Sequence, residues 1–354
     1  MPLAVPTRSH VLRVCETLLL GTLGGLVFQW AELPGGLISG AMLAVAIAAL
    51  AGRPLTVPAP LTQFVLVLLG ISLGSLVSRD MLQHMGSYPL TISLLALSTF
   101  CVTFGSAVYL QRLHGWDRAS ALLAGSPGAL SQIVMLASER GANVPGIAVV
   151  QTIRVIILTA GLPLLLAVTG LSQPTPPPIQ AVPATPLELV ALLAASVAVA
   201  LLLRWISFPA GWMFGAMLGS AVLHGSGLIA GGLPIPIRAA ALIGIGAVIG
   251  TRFARISIRT LLHYVNAALG SFAVSVVVSA LFVAALAVTT SIPFGDVVVA
   301  FAPGAMDAML ALALTLHIDP IFVGAHHLAR YIFVSLATPG IVHLFARPQR
   351  DADD

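Results

Sequence analysis

The sequence predicts an all-α polytopic membrane protein of two tandem homologous repeats. Each repeat has five to six transmembrane or re-entrant helices, one of them broken at Pro-Gly. Three observations carry this expectation. Of 354 residues, 58% are hydrophobic and only 8% charged, against about 25% charged in soluble domains, so the chain could not cover a water-facing surface. Apolar runs of roughly 20 residues, the length that carries a helix across a bilayer, recur from end to end. The order of these runs, with the rare residues inside them, occurs twice.

The first set of apolar segments falls near 11–30, 36–52, 60–78, 88–111, 118–138 and 144–169. Arg8 and Arg13 before the first run resemble a signal peptide. A counterpart in the second half, which could not be cleaved, argues for a retained helix instead. The stretch GLSQPTPPPIQAVPATP, residues 170–186, is proline-rich and nearly free of charge. It reads as a stiff extended linker outside the hydrocarbon. Segments resume near 187–206, 211–229, 236–253, 264–289, 296–316 and 320–345. The expected organisation is therefore a first membrane repeat (1–169), the linker (170–186), a second repeat (187–345) and a polar tail (346–354).

The two sets superpose with one single-residue shift. Pro127-Gly128-Ala129 meets Pro303-Gly304-Ala305 at an offset of 176, which also places Arg154 on Arg330 and Pro163 on Pro339. Upstream, Gly40-Ala41-Met42-Leu43 meets Gly215-Ala216-Met217-Leu218 at 175, with Trp30 on Trp205 and Pro34 on Pro209. Gly70 and Gly74 fall on Gly246 and Gly250 at 176. Matched apolar residues would mean little, but matched proline, tryptophan and intramembrane arginine point to duplication. Six crossings per half make the repeats parallel and five make them inverted. Loop charges leave both open, since Arg53, Arg112 and Arg118 favour one side and Arg252, Arg255 and Arg259 the other.

The formal charge of +4 is the excess of 16 Lys+Arg over 12 Asp+Glu, and the basic residues are scattered, with no stripe for nucleic acid. Cys15 and Cys101 sit in apolar segments and imply no disulfide framework. Four features break the apolar background. The Pro127-Gly128 and Pro303-Gly304 breaks remove a donor and relax the chain, so a helix restarting beyond them offers unpaired N–H groups and a positive dipole end to an anion. Arg154 and Arg330 lie inside apolar helices, where an arginine costs roughly 2.5–3.5 kcal/mol on insertion scales and faces a partner, a bundle interior or water. Gln151 and His327 precede them by three residues, on the same helical face. The plain alternative is a pair of structural arginines tying down carbonyls at a broken helix.

Asp307, four residues after Pro303, has Ser131 as its counterpart, with Gln132 beside it. An acid one turn into a restarting helix is stabilised by the dipole. It could pair with Arg330, or carry a proton when desolvated. Histidines 317, 326, 327 and 343 tempt a metal reading. However, His326 and His327 point about 100° apart on a helix, and no Cys or paired carboxylate joins them. No metal site, cofactor or catalytic group is therefore expected, nor a Walker loop or hydrolase elbow.

The twin blocks AGSPGALSQIVMLASERGANVPGIAVVQTIRV and AFAPGAMDAMLALALTLHIDPIFVGAHHLARY, with GGLISGAML and GWMFGAML upstream, resemble the AbrB duplication family of bacterial inner-membrane proteins over nearly the whole chain. That family's Pro-Gly-Gly block differs here, because Ala129 and Ala305 replace the second glycine and the first half has Ser131-Gln132 where the second has Asp307-Ala308. The resemblance implies a multi-pass inner-membrane protein. The family's labels range over regulators of gene expression, ammonia monooxygenases and transporters, and it shares only a name with small DNA-binding AbrB proteins. From the residues, the expected function is a secondary transporter or permease for a small anionic or polar solute, with proton coupling open. Its expected surroundings are the bilayer and the solute, without direct nucleic-acid contact and with oligomerisation open. The expected substrate-binding residues are Pro127, Gly128, Ser131, Gln132, Gln151, Arg154, Pro303, Gly304, Asp307, His327 and Arg330. The alternatives are a membrane sensor acting indirectly on gene expression and, below it, a membrane monooxygenase.

Overall fold

The structure, a computed structural model, describes residues 8–76, 88–128, 130–169 and 183–345, apart from the side chains of Arg8, Ser9, Leu130, Ser131, Gln132, Arg255 and Pro339. The expected linker therefore lies outside the described residues as far as Val182, and the tail 346–354 lies outside them altogether. The described chain is helical throughout, with no strand. Among the described residues, seven α-helices precede the linker: α1 (Arg8–Trp30), α2 (Gly36–Leu50), α3 (Ala59–Gly74), α4 (Tyr88–His114), α5 (Arg118–Gly125), α6 (Leu130–Glu139) and α7 (Val144–Val168). Seven follow it: α8 (Pro186–Trp205), α9 (Gly211–Gly225), α10 (Ile235–Gly250), α11 (Ile258–Thr289), α12 (Phe294–Phe301), α13 (Met306–Leu316) and α14 (Pro320–Phe345). Among the described residues, seven helices are long and apolar enough to cross a membrane.

Boundaries follow local chemistry. Helix α8 begins one residue before the expected 187 because Thr185 and Glu188 close a capping box around Pro186, with Glu188 N–H donating to Thr185 Oγ1 at 3.3 Å and Thr185 N–H to Glu188 Oε2 at 2.8 Å. The fifth apolar segment of each half is two short helices, as the Pro-Gly breaks predict. Ser126 and Ala302 turn to extended backbone at ψ 118° and 129°, the conformation imposed on a residue before proline. Gly128 then takes φ +101°, where a Cβ would be strained. Helix α5 starts and ends 176 residues before α12.

The chain forms two compact units, and neither is one of the sequence halves. One comprises residues 1–86, 156–258 and 307–324, and the other residues 87–155, 259–306 and 325–354. Both α7 and α14 pass from one unit into the other along their length.

In the first unit the glycines explain why the halves interleave. A Cβ on Gly70 of α3 would lie 2.3 Å from the Met213 carbonyl of α9, and one on Gly74 2.3 Å from that of Met217. The matched Gly246 and Gly250 of α10 approach the Ile38 and Met42 carbonyls of α2, at 2.4 and 2.7 Å. Each half's third helix thus lies backbone-to-backbone on the other half's second helix, a contact that only small residues permit. In the second unit α4 meets α11 through hydroxyls. Ser106 Oγ lies 3.1 Å from Ser275 Oγ and donates to the Ser271 carbonyl at 3.3 Å.

Candidate functional site: two arginine clamps on broken helices

A helix that stops inside an apolar protein leaves its last carbonyls without partners, and in hydrocarbon each unsatisfied group costs several kcal/mol. The second unit answers this at both breaks with side chains of the spanning helix that follows. From α7, Gln151 Nε2 donates to the carbonyls of Leu123 (3.2 Å), Ala124 (3.5 Å) and Ser126 (2.8 Å), at the end of α5. Arg154 Nη2 donates to the Ser126 carbonyl at 3.2 Å and to Gln151 Oε1, fixing the amide. From α14, the His327 ring nitrogen Nε2 meets the Val299 carbonyl at 3.0 Å. Arg330 Nη1 and Nη2 donate to the carbonyls of Ala302 (2.5 Å) and Ala300 (2.9 Å), at the end of α12.

The two clamps reach matching carbonyls from matching positions along the chain. Leu123 and Val299 are 176 residues apart, as are Ser126 and Ala302, and so are the side chains that reach them. The charge also suits its place, since a cation at a helix C-terminus complements the dipole. The spacing expected from sequence thus puts Gln151 with Arg154 and His327 with Arg330, on one face each. That face is turned to the carbonyls at the ends of the helices before the breaks, the contacts of the plain alternative given for these arginines, and not to the restarts after them.

All four clamp side chains are buried, Arg154 and Arg330 at 2% and 3% exposure. Their guanidinium charges act on one another within the unit, and no carboxylate offsets them: the ion pairs among the described residues are Arg53–Glu16 and Arg252–Asp307. Donors also remain. Arg154 Nε and Nη1 and Arg330 Nε are buried without a hydrogen-bond partner among the described residues.

Of the other expected residues, Pro127, Pro303 and Gly304 are buried beside the clamps. The side chains of Ser131 and Gln132 lie outside the described residues. Asp307, in the first turn of α13, accepts from Arg252 Nη2 at 3.3 Å, both side chains being partly exposed. The pairing with Arg330 suggested by sequence is thereby replaced, because Arg330 is already engaged by carbonyls of its own half. Sequence reasoning had taken Arg252 as a topology charge. With Leu76 at its matched position, nothing local marked it as a partner. The adjacent histidines diverge as helix geometry requires: His326 Nε2 meets Thr91 Oγ1 at 2.8 Å on α4, while His327 faces α12. Among the described residues no three His, Cys, Asp or Glu side chains gather as a metal-holding group.

Seven membrane-length helices, with two further helices broken and clamped by buried arginines, define the class: a multi-pass helical membrane protein. The AbrB family model, described as transition state regulatory protein AbrB, matches residues 37–346, and the chain belongs to that family. It is also similar to YhjN of Bacillus subtilis (strain 168), described as an uncharacterized protein. The two are 26% identical over 297 residues, which make up 78% of this chain and 77% of YhjN.

Proposed function

We propose that the chain is a secondary transporter of the bacterial inner membrane, a permease for a small anionic or polar solute, built by duplication of one half. One observation carries this reading: Arg154 and Arg330 are buried, have no carboxylate partner among the described residues, and keep unpartnered donors. An uncompensated buried charge is destabilising, and intramembrane ionisable residues mark substrate and ion pathways. Broken helices in matching places of two halves are how transporters build a solute site. The clamps fix the broken ends through carbonyl contacts, and the remaining arginine donors receive the anionic group of the solute. The breaks themselves, Pro127-Gly128 and Pro303-Gly304, belong to the same unit as the clamps and border the site. Asp307, paired with Arg252, is in this reading the group that links solute movement to protons.

Flux of small anions in proteoliposomes, with Arg154→Ala and Arg330→Ala compared with wild type, tests the assignment. Loss of flux in protein that still reconstitutes supports it, and wild-type flux in both variants would sink it. A second reading, a membrane sensor without flux, is favoured by the regulatory description of the family. It predicts stoichiometric ligand binding and a cytosolic partner but no turnover.

A further inference from the structure

In the first unit, the ends of α1, α7 and α13 and the starts of α2 and α10 border an open cavity of about 560 Å³, within the ~300–1,000 Å³ range of small-molecule sites. Its wall combines leucines, among them Leu37, Leu242 and Leu314, with Glu32, Arg238 and His317. It shares no residue with the arginine clamps.

Two of these side chains are kept at positions where glycine is the easier choice. Glu32 and His317 have φ of +53° and +55°, the left-handed region that a Cβ disfavours. Each closes a helix: Leu33 N–H donates to the Phe28 carbonyl at 3.1 Å, and Ile318 N–H to that of Ala313 at 3.0 Å. Glycine is the usual residue at this closing position. The first half uses it at the place matching His317. Gly141 has φ +63°, and Ala142 N–H closes onto the Ala137 carbonyl at 2.9 Å. The second half thus holds a histidine side chain on the cavity wall against its own backbone preference.

The charges also oppose their helices. Glu32 follows the C-terminus of α1, and Arg238 lies in the first turn of α10, each at the dipole end of its own sign. Neither is in an ion pair among the described residues. The wall therefore carries positive features, Arg238 and the starts of α2 and α10, together with negative ones, Glu32 and the ends of α1, α7 and α13.

We propose that this cavity binds a small zwitterion with an apolar body, of the α-amino-acid type. Its carboxylate lies at Arg238, its ammonium group at Glu32 and the C-terminal carbonyls with His317 beside it, and its side chain against the leucines. Equilibrium binding to the purified protein in nanodiscs tests this without any need for transport. The probes are leucine, methionine and phenylalanine, together with two halves of leucine, 3-methylbutylamine and 4-methylpentanoate. Expected is saturable binding of at least one amino acid, with its half-analogues tenfold or more weaker. Arg238→Gln removes the advantage over the amine, and Glu32→Gln the advantage over the acid. His317→Gly, which relieves the backbone, keeps or raises the melting temperature while weakening binding severalfold. Folded wild-type protein that binds none of the three amino acids, or binds them no better than the half-analogues, overturns the proposal. So does unchanged selectivity in both charge variants.

Discussion

Arg330 is bonded to the residue that precedes the break in its own half: its Nη1 lies 2.5 Å from the Ala302 carbonyl, next to Pro303. Its counterpart Arg154 bonds Ser126, next to Pro127. A break that proline creates is thus made tolerable by an arginine 27 residues further on. That spacing brings a guanidinium on the next spanning helix back to the broken end.

Arg330→Ala strips partners from the Ala300 and Ala302 carbonyls at once. Buried groups left unsatisfied cost about 1–3 kcal/mol each, so a loss of roughly 3 kcal/mol or more is expected. Arg330→Lys, a point charge without the fork, should fall between wild type and Ala. Unfolding of the purified proteins in mixed micelles checks the order.

His327 and Gln151 reach the same carbonyl position with different chemistry, Val299 in one half and Leu123 in the other. His327→Gln should therefore be mild, within about 1 kcal/mol, whereas His327→Leu leaves the carbonyl unpaired and should cost about 1–3 kcal/mol. Melting temperatures of the two variants, compared side by side, decide it.

The interleaved packing makes a reciprocal prediction. Gly70→Ala and Gly246→Ala each drive a Cβ to within 2.3–2.4 Å of a backbone carbonyl on the opposite half. Both should destabilise, by about 1–3 kcal/mol or more as overpacking does. Gly225→Ala meets nothing within 4 Å, and its effect should stay within about 0.5 kcal/mol. Expression and monodispersity of the three variants give a rapid readout.

How much of this was legible follows from how local each signal is. Pro127 and Pro303 break helices through their own ring and through the residue before them, so both breaks could be read directly. Arg154 and Arg330 stood out because arginine is costly among apolar neighbours. That they tie down carbonyls at a broken helix is the plain alternative the sequence offers; which carbonyls could not be read, since these depend on a helix folding back on the one before it. Asp307 finding Arg252 across 55 residues, and Gly70 meeting Met213 rather than a helix of its own half, are long-range pairings with no local pattern. The cavity residues left a fainter trace: aligning the halves sets His317 on Gly141, a mismatch at a helix end that hints at a left-handed position.

For the role of Asp307, Asp307→Asn removes the charge that meets Arg252. On the proposed reading, anion uptake into proteoliposomes should fall severalfold in the Asn variant while the protein stays folded. Uptake equal to wild type would remove Asp307 from the mechanism.

The most direct measurement is uptake of labelled small anions by proteoliposomes carrying the wild-type protein, compared with protein-free vesicles and with neutral and cationic solutes of similar size. The account predicts saturable, protein-dependent uptake of at least one anion, absent for the cations and reduced at least tenfold in Arg154→Lys and Arg330→Lys. Uptake equal to that of empty vesicles for every anion tried, with the protein folded and inserted, would contradict it.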